Sequence, residues 1–494
     1  MQLRTFKRHH KWLGLILSLF LILFSLSGIV LNHRSLVANA ALSRSYLPSE
    51  YHFSAWNNGL LRGTITLDDS TGILAYGTAG VWLTDSMGNI WQAYNKGLPD
   101  GADHKTIRRV LQTESGTVFA CTPFAVYRLV EGEWHAIPLP MSEIHEDLVD
   151  LAYGRDTLVV VGRSHLYVAA PPYTTFRVVT LLPSDTHDYR VSLFRTIWLL
   201  HSGELFGLVG KVLIDLLGVL MVVLVVTGVM HWFFPKWIRH LRHRVEQRKQ
   251  ATQQMLRNFR LHNRLGKYTI GAMIFVVFTG WCLRPPLLIA LAQWQVPVIP
   301  YTLLDRPGNA WHDRLRTLRY DVYSHTWLLN TSVGFYELPT LASVPKRLPH
   351  TPPISVMGIN AMEQRTDGTW VVGSFAGIYT WNRVLGQVRD YYTQLPPKEQ
   401  SGPPIGQNIC AGYSDDFVLG ELVVLYDKGS SLLPMPDEMR YLPMSLWHMA
   451  LEVHTGRIYT FLGIGKHFVV FAIGLATLWC LWAGYRVRHR RQTK

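Results

Sequence analysis

His10-Lys-Trp-Leu-Gly14 leads an apolar run from Leu13 to Leu31, and the chain writes this pattern twice. His262-Asn-Arg-Leu-Gly266 stands 252 residues further on and leads a second apolar run. Ser27-Gly28, near the end of the first run, returns at the same offset as Thr279-Gly280. A second pair follows the rule: His201-Ser-Gly203 with Gly210 recurs 253 residues later as His454-Thr-Gly456 with Gly463. Four apolar segments are therefore two copies of one two-helix unit, each headed by a histidine.

The runs near 13–31, 216–234, 268–283 and 468–484 each approach the roughly 20 apolar residues that cross a ~30 Å hydrocarbon layer. The expected fold is a membrane bundle of four spans with an all-β extracytoplasmic domain. A net charge of +14 could point to nucleic acid, but its distribution excludes that class. Arg4, Lys7, Arg8 and Lys11 precede the first span, and Lys236 to Lys267 carries ten cations between spans two and three. Arg486, Arg488, Arg490, Arg491 and Lys494 follow the fourth. Three basic groups on one side of four crossings place both termini in the cytoplasm. The basic stretch 236–261 is then expected to form an amphipathic or continued helix at the inner surface, where anionic lipid is its natural contact. Ala38-Asn-Ala40 resembles a signal cleavage site, but the run before it is too long for one and its copy at 262–283 is internal. The first segment is therefore expected to stay as a helix.

The expected organisation is 1–33 as cytoplasmic N-terminus and first span, 34–195 as outer repeats one to three, and 196–234 as the second span. A basic cytoplasmic loop follows at 235–261, with the third span at 262–284, repeats four to six at 285–446, the fourth span at 447–485 and a tail at 486–494. Within the outer segments, Gly72–Gly77, Gly80–Leu83 and Gly88–Trp91 read as short strands. So do Gly116–Ala120, Ala125–Tyr127, Thr157–Gly162 and His165–Tyr167. The second outer segment repeats the pattern at Thr326–Leu329, Gly334–Tyr336, Gly368–Gly373, Gly377–Tyr379, Phe417–Gly420 and Val424–Tyr426. Aromatic positions Trp82, Tyr127 and Tyr167 lie 45 and 40 residues apart, the spacing of propeller blades. Tyr336, Tyr379 and Tyr426 answer them in the second half. The duplicated unit is thus helix, three blade-like repeats, helix. Six blades could close one ring; two separate β-sandwiches are the alternative. Cys121 and Cys410 lie in the outer segments and could pair, while Cys282 and Cys480 lie in spans.

A single histidine at the head of a span is most simply an interfacial anchor. Four related by a repeat carry more weight, because neutral imidazole is a common metal and haem ligand. Topology sorts them: His10 and His262 belong to the inner face, His201 and His454 to the outer. A two-fold relation between the copies would oppose each pair across a shared site. Two imidazoles facing across an iron macrocycle make a bis-histidine b-type haem, which leaves no open position and therefore carries electrons. Gly14, Gly266, Gly203 and Gly456 offer small surfaces for such a group. His33 and His467 are alternates for the outer site, though neither has a histidine in the other copy. Lys211 and Asp215, one helical turn apart, can neutralise each other. Trp82, Trp91, Trp134, Trp311 and Trp381 could face a ligand, although blade aromatics are usually core.

These residues carry a family resemblance. His10 to Gly14 with Ser27-Gly28 and Leu31-Asn-His33 resembles the first helix of the PepSY-associated transmembrane family. His201-Ser-Gly203 through Gly210 and Asp215 to Thr227-Gly228 and Trp232 resembles its later helix, and 262–280 and 454–482 repeat both. The outer segments show blade-like repeats and no PepSY pattern. Members are bacterial inner-membrane proteins, some resembling ferric-siderophore reductases with two haems b across four helices. The resemblance implies two haems b held by His10, His262, His201 and His454, and reduction of a periplasmic ferric chelate for iron uptake. No Gly-x-Gly-x-x-Gly motif follows a strand, so quinol or a cytoplasmic reductase would donate the electrons, and a ferric chelate or periplasmic protein would accept them. Two other functions fit the same pattern: a non-enzymatic, membrane-anchored β-propeller that binds or senses a ligand, and a haem or iron transport component.

Overall fold

The computed structural model describes residues 3–492 apart from 69–71, 142–145, 293, 356–357, 398–405, 407 and 464. Lys494 of the C-terminal basic group lies outside the described residues. The chain forms two compact units. One comprises Met1–Val37, Arg190–Asp305 and Leu446–Lys494; the other comprises Ala38–Tyr189 and Arg306–Ser445.

The first unit is helical. Its helices are α1 (Leu3–Asn32), α2 (Arg34–Val37), α3 (Leu193–Ser202), α4 (Gly207–His240), α5 (Val245–Cys282), α6 (Leu287–Leu291), α7 (Leu446–Thr455) and α8 (Gly465–Gln492). Four helical segments are long and apolar enough to cross a membrane: Leu3–Asn32, Glu204–His240, Val245–Cys282 and Gly465–Val487. Each holds a stretch apolar and long enough for a hydrocarbon layer, so lipid is its compatible solvent there. Hydroxyls inside the spans are satisfied locally, as apolar surroundings require. Ser27 donates to the Leu23 carbonyl, Thr227 to Val223, Thr279 to Phe275 and Thr477 to Ile473. Helix α1 packs on α4 and α8, and α5 packs on α4 and α8. Leu17, Ile473 and Cys480 fill the first seam, and Met221, Val225 and Met273 another.

Most of the basic stretch 235–261 is helix, as expected for a continued helix: α4 runs on to His240 and α5 starts at Val245. The segments headed by His201 and His454 are each broken. Helix α3 stops at Gly203, whose φ of 78° is left-handed, before α4 begins, and Gly456 at φ 73° follows α7. A Cβ at Gly203 would also meet the Gly210 carbonyl at 2.2 Å. These two glycines are therefore helix stops.

The second unit is all β: besides a two-stranded sheet that pairs Ala41–Leu42 with Met444–Ser445, six sheets are described. Five have four antiparallel strands in chain order, beginning at Gly63–Thr66, Arg109–Gln112, Leu148–Gly154, Leu315–Asp321 and Ile359–Gln364. The sixth pairs Cys410–Ser414 with Leu422–Leu425. Phe417–Gly420, expected as a strand, is a turn: Gly420 has φ 93° and its amide donates to the Phe417 carbonyl. Each first strand packs beside the first strand of the next sheet, and Cys410–Ser414 packs against Gly63–Thr66. Six hydrophobic clusters fill the gaps between consecutive sheets, the last joining Ile73 and Ala75 to Ala411 and Val424. A cavity of about 10 Å³ lies among the first strands. It is lined by Arg109 paired to Glu363 and Arg319 paired to Asp150, each at 2.5 Å.

Trp134, Trp311 and Trp381 are buried, and Trp82 and Trp91 pack against a core cluster, so these aromatics build the sheets. The four cysteines are free and buried; Cys121 and Cys410 do not pair.

Candidate functional site

The histidines of the repeat meet in two pairs within the helical unit. His10 of α1 and His262 of α5 have ring centroids 6.1 Å apart. His201 of α3 and His454 of α7 have theirs 5.9 Å apart. The break after α3 explains how His201 reaches its partner despite the ten residues before the apolar run: α3 is a separate short helix packed on α5, and α7 likewise packs on α1.

All four imidazoles are held alike. His454 Nδ1 lies 2.9 Å from the Phe24 carbonyl and 3.2 Å from Ser27 Oγ. His201 Nδ1 lies 3.1 Å from the Val276 carbonyl and 3.2 Å from Thr279 Oγ1. His10 Nδ1 lies 3.0 Å from the Cys480 carbonyl. His262 Nδ1 lies 2.9 Å from Thr227 Oγ1, whose own proton goes to the Val223 and Leu224 carbonyls. A carbonyl oxygen only accepts, so Nδ1 carries the proton and donates. The Nε2 lone pair is then left free to accept a hydrogen bond or to ligate a metal.

Each ring also lies on a glycine of the helix it bonds. A Cβ at Gly28 would stand 3.1 Å from His454 Cε1, at Gly280 2.7 Å from His201 Cε1, at Gly484 2.9 Å from His10 Cε1 and at Gly228 3.4 Å from His262 Cε1. The Ser-Gly and Thr-Gly pairs legible in the sequence are therefore seats, a hydroxyl or carbonyl for Nδ1 and a bare backbone for the ring. Gly484 and Cys480 were not legible as a seat, because Ala483 stands where the other three have a hydroxyl. Every contact joins the N-terminal half of the chain to the C-terminal half: α1 receives His454, α5 receives His201, α8 receives His10 and α4 receives His262.

The chemistry of the donor set is narrow. Among the described residues no group of three or more His, Cys, Asp or Glu is placed to hold a metal ion, so a tetrahedral zinc-type site has no candidates. Each histidine pair, its ring centroids about 6 Å apart, could hold one metal-centred group between its imidazoles. A Cβ at Gly14 would sit in ordinary contact with Cys480 Sγ at 3.8 Å, and one at Gly266 with Leu224 Cδ2 at 3.9 Å.

The alternates are otherwise engaged. His33 Nε2 pairs with Asp215 Oδ2 at 2.7 Å, and Asp215 also accepts from Asn32 at 2.9 Å. Lys211 pairs with Glu204 at 3.4 Å, so the expected Lys211–Asp215 neutralisation is replaced by two other pairs. His467 is exposed, and His9 accepts from the Trp479 indole at 3.1 Å.

Comparison with known proteins completes the description. No curated protein matches the chain. Two solved structures from B. thetaiotaomicron resemble it slightly, the extracellular domain of a one-component system and that of a hybrid two-component system. The first has 10% identity and a TM-score of 0.33, covering 77% of this chain and 39% of its own. The second has 10% identity and a TM-score of 0.24, covering 65% and 33%. The chain thus spans well under half the length of either, and the likeness is too slight to define a fold. The family model of the PepSY-associated TM region matches residues 8–491, far more than the four spans alone. With its four helices of membrane-crossing length and that match over nearly its whole length, the chain belongs to the PepSY-associated transmembrane family.

Proposed function

We propose that this chain is a bacterial inner-membrane di-haem b protein that moves electrons outward across the membrane to a periplasmic acceptor, a ferric siderophore or other ferric chelate, for iron uptake. In this reading His10 and His262 hold the inner haem, and His201 and His454 the outer one. Both termini are cytoplasmic and the β unit is periplasmic. The six sheets are the blades of one propeller, and the chain is a tandem duplication whose copies meet across the two haems. Quinol or a cytoplasmic reductase supplies the electrons.

The observation that carries the reading is the pair of opposed imidazoles, made twice, with Nδ1 of every ring anchored on the opposite copy. A haem bound there would supply one-electron chemistry. The chain's own residues do the rest. Phe24, Val276, Cys480 and Thr227 hold the Nδ1 protons and so fix tautomer and ring orientation. Gly28, Gly228, Gly280 and Gly484 let each ring lie against a helix backbone. Two imidazoles per site leave no position for oxygen chemistry. The propeller reading draws support from the contact of the last first strand with the first, and from a bulge shared by the strands at Leu148/Asp150, Leu315/Thr317, Ile359/Ala361 and Cys410/Gly412.

The test is a reduced-minus-oxidised optical spectrum with haem stoichiometry on detergent-purified wild type, His10→Ala and His454→Ala. Two low-spin haems b in wild type and one in each variant are expected. A protein that takes up no haem sinks the reading and leaves an anchored binding propeller.

A further inference from the structure

The two copies diverge at one position beside the His201–His454 pair. Asn32 Nδ2 donates to the Ser202 carbonyl at 3.2 Å. Arg284 stands 252 residues after Asn32, and its Nη1 donates to the Thr455 carbonyl at 3.2 Å. Thr455 is itself the repeat mate of Ser202, 253 residues on, so one contact is made twice, by a neutral amide and by a guanidinium. Arg284 goes further: its Nη2 donates to the carbonyl of His454 itself at 2.8 Å. In the first copy the neighbouring Asp215 accepts hydrogen bonds from Asn32 and His33. The repeat mate of Asp215 is Phe468, and among the described residues no carboxylate pairs with Arg284; nearby Glu452 pairs with Arg457 at 2.5 Å. The second copy thus keeps a half-buried, unbalanced cation on the backbone of one histidine of the pair.

Resting on the di-haem reading, we propose that Arg284 is a positioning residue that makes the His201–His454 site the more oxidising of the two and so sets the direction of electron flow. If a haem is held there, its one-electron reduction would lower the site's net charge by one, with no bond formed or broken. A fixed positive charge favours that change, and more strongly away from bulk water. The charge near a haem is one of the levers by which a protein tunes it. Arg284 also satisfies two C-terminal carbonyls of α7, a structural role that any good donor could share. The two roles separate by substitution: Arg284→Gln keeps a donor without charge, and Arg284→Lys keeps the charge.

The experiment is an optical redox titration of the full-length, haem-loaded protein in detergent. In Arg284→Gln one of the two midpoints should fall by at least 59 mV, a tenfold change in the equilibrium between the haems. The other should stay, and Arg284→Lys should retain the wild-type order. Arg284→Gln with both haems and unchanged midpoints would overturn the proposal. Equal shifts in Gln and Lys variants, or loss of one haem from Arg284→Gln, would also overturn it and leave only the capping role. A colourless wild type would instead overturn the di-haem reading together with this one.

Discussion

The four glycine seats give a graded test that needs no cofactor. Replacing each by alanine sets two effects against each other. Alanine in a helix interior gains about 1 kcal/mol over glycine. Overfilling a packed contact costs roughly 1–3 kcal/mol when the neighbour cannot move. The neighbour here is an imidazole tethered through Nδ1, so it cannot simply swing away. At Gly280 the new Cβ would lie 2.7 Å from His201 Cε1 and 3.3 Å from both ring nitrogens. At Gly484 it would lie 2.9 Å from His10 Cε1, at Gly28 3.1 Å from His454 Cε1, and at Gly228 3.4 Å from His262 Cε1. Gly280→Ala and Gly484→Ala should therefore be net destabilising by about 1–2 kcal/mol. Gly28→Ala should be close to neutral, and Gly228→Ala neutral or stabilising by up to about 1 kcal/mol. Thermal unfolding of the four variants in one detergent reads the order directly. Four shifts of one sign and size would show propensity alone at work and refute the seating of the rings on these glycines.

In the β unit, Arg109 grips Glu363 through two bonds, Nη1–Oε1 at 2.5 Å and Nη2–Oε2 at 3.0 Å. Glu363→Gln should cost roughly 2 kcal/mol, a part-exposed version of breaking a buried pair, measured as faster limited proteolysis of the full-length protein. Burial alone would raise the Glu363 carboxyl, but the Arg109 charge and its hydrogen bonds outweigh it and hold the group below the usual carboxylate range. Its contribution is therefore present above the ordinary carboxylate pKa and is lost as pH falls through the lowered one. The proteolysis difference between wild type and Glu363→Gln should shrink in acid, and a difference that grows there would contradict the pairing. Cys121 and Cys410 are fully buried, and burial pushes the Cys410 thiol up to about 12 and Cys121 higher still. Neither should take a maleimide label until the protein is unfolded; labelling of the native protein would refute their packing. The break between α4 and α5 carries Arg242 and Arg244, so trypsin should cut there in inverted vesicles and not in intact spheroplasts. Cutting in spheroplasts alone would reverse the proposed topology.

Much of this was legible because it is written locally. Long apolar runs, their flanking cations and a pattern repeated 252 residues apart depend on composition and spacing, so the four helices and the four histidines could be picked out from the chain alone. Most strand signals beside glycine turns were legible for the same reason. The first strand of every sheet was not. Gly63–Thr66, Arg109–Gln112 and Leu315–Asp321 carry arginines or threonines and, in some, a bulge, because they face ion pairs and a small polar cavity rather than a uniform core. Phe417–Gly420 looked like a strand by composition, but its glycine bends the chain into a turn.

What only the tertiary structure decided is who holds whom. Neither Gly203 as a helix stop nor Gly484 as a seat can be read from glycine alone, since the first depends on a backbone angle and the second on a ring arriving from another helix. The partners of His33, Lys211 and Asp215 likewise follow from distances across the bundle rather than from spacing along one helix. Sequence determined that four histidines belong together in two pairs. The fold decided that each Nδ1 bonds a carbonyl or hydroxyl from the other half of the chain, because backbone carbonyls are the same at every position and only packing selects which one an imidazole meets.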